Sequence, residues 1–546
     1  MKLIKFIYAE SNQFGLGIFL LGILSGVLNT VLLFILNGVI TVVGNVPVKM
    51  VVYYFVVLLL STIFQRFFQK RMITLSQSIM FNARNNLVND IRKTDLQLLE
   101  KIGHSRIYKT ITYDIIAVGG ASRSLVGIST SAVSILCCLI YLAFTSLVCT
   151  ALVLGAVFSG VFIYLTNDRA ITAEMRKANK IHERIVAVLG DLLMGFKEIK
   201  LNREKDEVLF KQYYTPLSVE SEALSAKSMF RYMNNATIGK TVMLLIVGFC
   251  VFFLPQLSIL TSNDAVKVLV MILYLLGPVT SIVSMLPGYK SASISVDRIE
   301  ELRANLRGNI QPVNENPISM NPVFDRIEMQ GVSFDYKDGY NNFNFGKVDF
   351  QIRQGEIVFV VGGNGSGKST FVKLLTGLYR PDCGSLKLNG SIITPESLPS
   401  YQSLYSCIFS DYHPFTTIYS YASPDTAKVK EYLAYFKLSD KVVFENNTFN
   451  IGSLSTGQKK RLALIQALLE DRPILILDEW AADQDPEFRR FFYTTVLSDI
   501  KRMGKTIIAI THDDRYLGVA DRVLYFEYGQ IIKEQAGIKY HSAAVQ

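Results

Sequence analysis

Leu454-Ser455-Thr456-Gly457-Gln458 (LSTGQ) stands shortly before the strand-like run Ile474 to Leu477, which ends in Asp478 and Glu479. A serine with exposed N–H groups at a helix start makes an anion site. A buried strand that delivers two acids to its end supplies one group for a metal shell and one for activating water. The pairing of these two stretches fixes the reading of the chain, and it calls for a phosphate loop upstream.

That loop is Gly362 to Thr370 (GGNGSGKST), which fits G-x-x-x-x-G-K-[ST] and follows the apolar run Ile357 to Val361. Strand, glycine loop and helix come in the required order. Gly362, Gly363, Gly365 and Gly367, with Asn364 and Ser366 between them and Thr370 behind, let successive backbone N–H groups wrap a phosphate of ATP. Lys368 neutralises the β and γ phosphates, and Ser369 offers a hydroxyl to Mg²⁺. Asp478 is expected to hold the Mg²⁺ shell, often through water, while Glu479 orients or deprotonates the attacking water. A strand that merely ends in two solvated acids is the bland alternative, and the loop upstream argues against it.

Half of the 546 residues are hydrophobic, which is more than a soluble protein carries. The apolar excess lies between residues 14 and 290, whereas residues 325 to 546 read as a soluble α/β domain. The expected domains are therefore a six-span helical membrane domain over 1–300, a linker over 301–324 and a nucleotide-binding domain over 325–546. Spans are expected near Phe14–Ile40, Val46–Phe64, Leu125–Val148, Ala151–Leu165, Ile238–Leu254 and Ala265–Leu286, each approaching the roughly 20 apolar residues that cross a bilayer. The third and fourth join almost without a loop.

Basic residues crowd the segments after spans two and four, from Arg66 to Lys101 and from Arg169 to Arg184, and the opposite loops near 41–49, 149–150 and 255–264 are almost free of them. Both termini are therefore expected in the cytoplasm, in a bacterial inner membrane. The formal charge of +10 belongs largely to loops facing an anionic leaflet and needs no nucleic acid. The first span reads as an uncleaved anchor rather than a signal peptide. The six cysteines lack metal-ligand spacing and read as small buried hydrophobes. Segments 66–123 and 166–237 read as helices projecting beyond the membrane, with turns near Ile102–Ser105 and Tyr213–Leu217 placed to push on a cytosolic partner.

Residues 325 to 535 resemble the nucleotide-binding domain of ABC transporters, and the remainder resembles a six-helix exporter half, so that the resemblance covers nearly the whole chain. In that family the signature of one subunit caps ATP bound to the other, which implies that Ser455, Thr456, Gly457 and Gln458 serve in trans. One phosphate loop and one signature per chain imply a homodimer. Tyr336, in Val332 to Tyr336 (VSFDY), resembles the aromatic that stacks on adenine; a core tyrosine is the rival reading. His512, in Thr511-His512-Asp513, resembles the switch histidine at the γ phosphate, and Asp485 resembles the acid that communicates across the dimer, with helix capping as its alternative.

Departures from the family pattern are informative. Ile408 to Asp411 (IFSD) stands where a glutamine is usual, leaving Ser410 or Asp411 to contact Mg²⁺ or water. Thr456 replaces the commonest glycine, and Trp480 to Asp485 (WAADQD) replaces a run of small residues. With Lys459 to Leu464 (KKRLAL), Pro486 to Phe491 (PEFRRF) and Gly195 to Arg203 (GFKEIKLNR), these resemble the YojI-like exporters of cyclic peptides, microcins and siderophore peptides. The resemblance implies alternating access driven by ATP. No peptidase domain precedes span one, so the cargo is expected to arrive already processed.

Polar residues inside apolar spans are costly and mark either a cavity or helix–helix hydrogen bonds. The candidates are Asn29, Thr30, Asn37, Tyr141, Asn234, Asn235 and Lys240. They form no anionic trap, which favours a neutral amphipathic peptide as cargo. Membrane lipid or lipopeptide, in a flippase, and an ATP-driven membrane sensor are the competing readings.

Overall fold

The computed structural model describes residues 2–11, 16–40, 47–257, 260–308, 323–336, 343–419, 424–451 and 454–537. Phe14, Val46 and most of the expected outer loop 41–49 lie outside the described residues. The chain divides into two compact units, one of 1–91 and 103–305 and one of 92–102 and 306–546.

The first unit is helical. A short amphipathic helix α1 (Lys2–Glu10) precedes α2 (Leu16–Ile40) and α3 (Val48–Arg92), and after a brief α4 (Leu96–Ile102), which groups with the second unit, and α5 (His104–Lys109) come α6 (Ile115–Thr145) and α7 (Leu147–Met194). Two short helices, α8 (Phe196–Leu201) and α9 (Arg203–Val208), lead to α10 (Thr215–Phe252) and α11 (Ser262–Arg307). Five of these stretches are long and apolar enough to cross a membrane, and Leu147–Phe162 is a shorter apolar one. Large apolar side chains such as Phe55, Leu59, Phe144, Phe158 and Leu245 are exposed, a surface compatible with hydrocarbon rather than water.

Only Ser146 separates α6 from α7; it is extended and caps α7 by accepting from the Cys149 N–H at 3.3 Å. The tight hairpin expected there is thus a one-residue corner. α10 packs along α7, and α2 along α6. α1 buries Leu3, Phe6 and Ile7, and Glu10 ties it to Arg303 at 2.5 Å and to Asn86 at 2.8 Å.

Three features differ from the sequence reading. The last helix continues through Arg307, across the start of the expected linker. The second projecting pair turns at Asn202, which caps α9 through the Lys205 N–H; Tyr213–Leu217 is continuous helix. The first turn falls at Gly103, inside the expected Ile102–Ser105, and its φ of +83° suits glycine. The segment 92–102 that precedes it groups with the C-terminal unit, interrupting the expected 1–300 domain.

The C-terminal unit holds β1 (Arg326–Asp335), β2 (Asn344–Arg353), β3 (Ile357–Gly362), β4 (Cys383–Leu388), β5 (Ser391–Ile392) and β6 (Tyr405–Ile408). A small hairpin of β7 (Phe444–Glu445) and β8 (Thr448–Phe449) precedes β9 (Ile474–Asp478), β10 (Thr506–Ile510), β11 (Arg522–Glu527) and β12 (Gln530–Ala536). One sheet has the order β2-β1-β4-β5 and the main sheet β12-β11-β3-β10-β9-β6, whose inner strands are parallel. Its helices are α12 (Lys368–Leu375), α13 (Leu398–Gln402), α14 (Thr426–Tyr435), α15 (Thr456–Leu469), α16 (Pro486–Phe491) and α17 (Leu497–Arg502).

Both faces of the main sheet are covered. Ile357, Phe359, Leu475, Leu477 and Ile507 enter one core, and Val358, Val360, Ile474, Ile476 and Ile508 the other. This double burial is why those strands read as unbroken apolar runs.

Candidate functional site

β3, β9 and β10 lie side by side, with β10 in the middle, so their carboxyl ends deliver the phosphate loop, Asp478 with Glu479, and Thr511 with His512 to one edge. The glycine loop leaves β3 and enters α12 through Gly367, whose φ is +101°. A Cβ there would stand 3.1 Å from the Phe343 ring and 3.2 Å from Gly529 Cα, so both space and backbone conformation call for glycine. The Ser366 hydroxyl is buried without a hydrogen-bond partner inside this loop. An orphaned donor among glycines at a helix N-terminus fits a phosphate group.

Lys368 is buried and folded back, its ammonium donating to the carbonyls of Gly362 and Gly363 at 2.9 Å each. Burial holds its pKa below the ordinary lysine value, and the nearby charges of Glu479 and Asp478 partly counter that. Asp478 is buried, and desolvation raises its carboxyl above the usual range. The Ser410 N–H donates to it at 3.4 Å, while Asp411 is exposed. Among the described residues no group of three or more His, Cys, Asp or Glu is placed to hold a metal ion. Asp478 and Ser369 are hard oxygen donors of the type Mg²⁺ takes beside phosphate and water.

Glu479 is left-handed, at φ 49° and ψ 34°, and its Oε1 lies 3.0 Å from His512 Nε2. Lys460, buried on α15, donates to the Glu479 carbonyl at 2.9 Å and pairs with Asp483 at 2.7 Å. No role follows for Lys460 from its place in KKRLAL, where a helical lysine reads as solvated. The only signal is the acid at Asp483 inside the departing stretch WAADQD.

Ser455 caps α15 in a capping box, accepting from the Gln458 N–H at 3.3 Å while its own N–H donates to Gln458 Oε1 at 3.1 Å. Both residues therefore organise the helix start, leaving Thr456 exposed beside it. Gly457 is buried, and a Cβ there would come within 2.5 Å of the Asp483 carbonyl oxygen. Asp485 caps α16 through the Phe488 N–H at 2.8 Å and pairs with Arg461 at 2.6 Å, so the capping alternative is what one chain displays. Those contacts, the Phe488 N–H foremost, hold its carboxyl below the usual range.

Tyr336 is half-buried among Phe334, Phe343 and Tyr379, and its hydroxyl lies 3.2 Å from Thr370 Oγ1. It thus adjoins the phosphate loop through its hydroxyl, in an aromatic cluster. In the helical unit, Asn37 Nδ2 donates to the Tyr141 hydroxyl at 3.2 Å and to the Lys267 carbonyl at 3.1 Å. Asn29 accepts from Ser61 at 3.4 Å, and Thr30 bonds within its own helix to the Gly26 carbonyl. Asn234 and Lys240 are exposed on α10 and do not join that cluster.

Comparison with known proteins agrees with this geometry. The ABC transporter family profile matches residues 345–482. ATP-binding protein SyrD of Pseudomonas syringae pv. syringae is 32% identical over 475 residues, 84% of this chain and 83% of that one. An ATP-dependent lipid A-core flippase of Vibrio cholerae is 25% identical over 492 residues, 84% of this chain and 80% of the relative. A solved bacterial Atm1-family ABC exporter with ATP bound superposes with a TM-score of 0.76 at 18% identity, covering 95% of this chain and 94% of the other. With a phosphate loop and a strand-end Glu479 on one edge, an LSTGQ stretch opening α15, and apolar helices fused ahead of them, the chain belongs to the ABC transporters as a half-exporter that couples ATP hydrolysis to transport.

Proposed function

We propose that two copies of this chain form a homodimeric pump in a bacterial inner membrane, with both termini cytoplasmic, that exports a compact, already processed peptide of cyclic, lasso or siderophore type. The observation that carries the cargo reading is the polar cluster of Asn37, Tyr141 and the Lys267 carbonyl among apolar helices, where Asn37 Oδ1 is buried without a partner. A buried amide with an open acceptor suits the N–H groups of a neutral peptide better than a phosphate or carboxylate.

At the ATPase edge, Lys368 and the glycine loop hold the phosphates of ATP, and the Tyr336 ring takes the adenine. Ser369 and Asp478 would hold Mg²⁺, with Ser410 supporting Asp478, and the ion would supply positive charge against the phosphates. Glu479, aligned by His512, takes the proton of the attacking water as ATP becomes ADP and phosphate. Ser455 to Gln458 of one subunit cap the γ phosphate held by the other. Nucleotide binding closes the dimer, and hydrolysis resets it.

The test is uptake of fluorescent lasso and cyclic peptides into inside-out vesicles, with Glu479→Gln as the blank. ATP-dependent accumulation that the variant loses is the expected result. Undiminished hydrolysis in Glu479→Gln sinks the assignment of the base. A lipid or lipopeptide flippase is the second reading, favoured by the match to the Vibrio cholerae flippase over most of the chain. It requires ATPase stimulation by lipid in the absence of peptide.

A further inference from the structure

Arg489 lies on α16, and Tyr493 follows one turn later in the π-turn Phe492–Val496, so the two share a face of one helical run. The Arg489 guanidinium donates to the carbonyls of Ala481 at 3.2 Å, Ala482 at 2.9 Å and Gln484 at 3.3 Å. It thereby fastens the short turn Trp480–Asp483 that follows Glu479. Its remaining nitrogen lies 3.6 Å from Asp513 Oδ1, and the Tyr493 hydroxyl donates to the other oxygen of that carboxylate, Oδ2, at 3.1 Å. The Asp513 side chain caps nothing in the turn Asp514–Val519 that it opens, so these contacts are what its carboxylate serves.

Tyr493 is 2% exposed, so its hydroxyl depends on protein partners rather than water. It also meets Thr511 Oγ1 at 2.6 Å, and the Asp513 N–H donates to that same oxygen at 3.0 Å. A carboxylate only accepts, so the one phenolic proton goes to Asp513 and the Thr511 hydroxyl donates to Tyr493. Asp513 N–H to Thr511, Thr511 to Tyr493 and Tyr493 back to Asp513 close a ring of hydrogen bonds around the residue between, His512. The Tyr493 ring also stacks on Tyr516, with centres 4.4 Å apart at 11°. Beside this ring lies a cavity of about 220 Å³, with Glu479, Arg489, His512 and Asp513 in its wall. Packing therefore leaves the His512 loop room to shift, and polar contacts must fix it. The Arg489 pair is the weaker one, at 3.6 Å with the two side chains 32% and 26% exposed, and the buried Tyr493 bond is the stronger.

We infer that Arg489 and Tyr493 clamp Asp513 so that His512 is held at Glu479, which makes Arg489, Tyr493 and Asp513 positioning residues for ATP hydrolysis. The inference rests on the reading of Glu479 as the base that His512 aligns. One helical run thus grips both halves of the pair, the loop after Glu479 through Arg489 and the His512 loop through Asp513. None of the three reaches the phosphate loop in the contacts above. Their loss therefore falls on turnover and spares the binding of ATP.

ATP turnover by the full-length protein in lipid nanodiscs tests this without any cargo. Tyr493→Phe keeps the ring and its stack on Tyr516 and removes the hydroxyl; Asp513→Ala removes the carboxylate. Each should lower kcat about tenfold, short of the roughly hundredfold that a 1 Å misplacement can cost, with KM for ATP within about twofold of wild type. Because both act through one contact, the double variant should fall within about twofold of Asp513→Ala alone. Should Asp513→Ala fail to fold, Tyr493→Phe decides, since it changes neither the shape nor the stacking of the buried ring. A kcat within about twofold of wild type in the variants, with only a lower urea midpoint, is the mark of a structural role and overturns the clamp. So does a double variant slower by the product of the two single losses, about a hundredfold. Glu479→Gln separates the two readings. If it is inactive while the clamp variants turn over normally, the clamp alone fails; if it hydrolyses ATP at the wild-type rate, the base reading fails, and the clamp with it.

Discussion

Lys460→Met probes what holds Glu479 in place. The lysine is 4% exposed and donates at 2.9 Å to the carbonyl of a residue whose backbone is left-handed, at φ 49°. Such a conformation costs a side-chain-bearing residue about 1–3 kcal/mol and persists only where the surroundings enforce it. A hydrogen bond from a charged donor contributes about 1.5–3 kcal/mol, the size required. Methionine keeps the apolar stem and removes the donor. Asp483, whose side chain is 43% exposed, is left solvated and strands no buried charge. Loss of about 2 kcal/mol of bias lowers the ratio of chains with Glu479 beside His512 to those without about 30-fold, at 1.36 kcal/mol per tenfold. Phosphate release titrated with ATP should show kcat down by roughly tenfold, and by no more than about 30-fold, with KM unchanged, since the phosphate loop is untouched. Lys460→Gln retains a donor and should lose less. A Lys460→Met kcat within about twofold of wild type would refute the clamp.

Gly457→Ala drives a Cβ to 2.5 Å from the backbone oxygen of Asp483, which cannot rotate away. An overpacking cost of about 1–3 kcal/mol should fall on the start of α15, read as lost ATPase with ATP binding retained. Asp485→Ala removes the cap of α16 and should lower the stability of the ATPase unit by about 1 kcal/mol, read as a lower urea midpoint. Because the folded carboxyl sits below its ordinary pKa, its stabilisation is present above the unfolded pKa of about 3.9. It is lost as pH falls through the folded value, so the gap between wild type and variant should close only in acid.

Much of the ATPase edge is legible because its chemistry fixes residue types at fixed spacing. β3, β9 and β10 read as strands since both their faces are buried. The apolar cores of the long helices are legible by hydropathy, and their projecting halves by helical spacing. α3 runs on to Arg92 past the apolar run that ends at Phe64, as the projecting helix expected over 66–123 requires, burying Leu75, Ile79, Ala83 and Leu87 along one face. Gly103 is a turn signal in the sequence, whereas Asn202 stands among charged residues of helical spacing that mask the break it makes. The burial of Lys460 and the hold of Tyr493 on Asp513 depend on partners distant in sequence, which no local pattern carries.

The departing stretches make sense as one contact set. Trp480, in place of a small residue, donates its indole N–H to the Lys460 carbonyl at 2.8 Å and packs on Phe492 with ring centres 4.3 Å apart. Gln484 donates to the Gly457 carbonyl at 3.1 Å, and Arg461 reaches Gln484 and Asp485 while lying 3.5 Å above the Phe488 ring. The helix that begins with the signature is thus stapled within one chain to the loop that follows Glu479. In the proposed dimer those two elements serve different ATP molecules, Glu479 its own and Ser455 to Gln458 the one held opposite. A rigid staple between them means that neither site can rearrange without moving the other, and Lys460, which touches both elements, is where that linkage is most exposed to a single substitution.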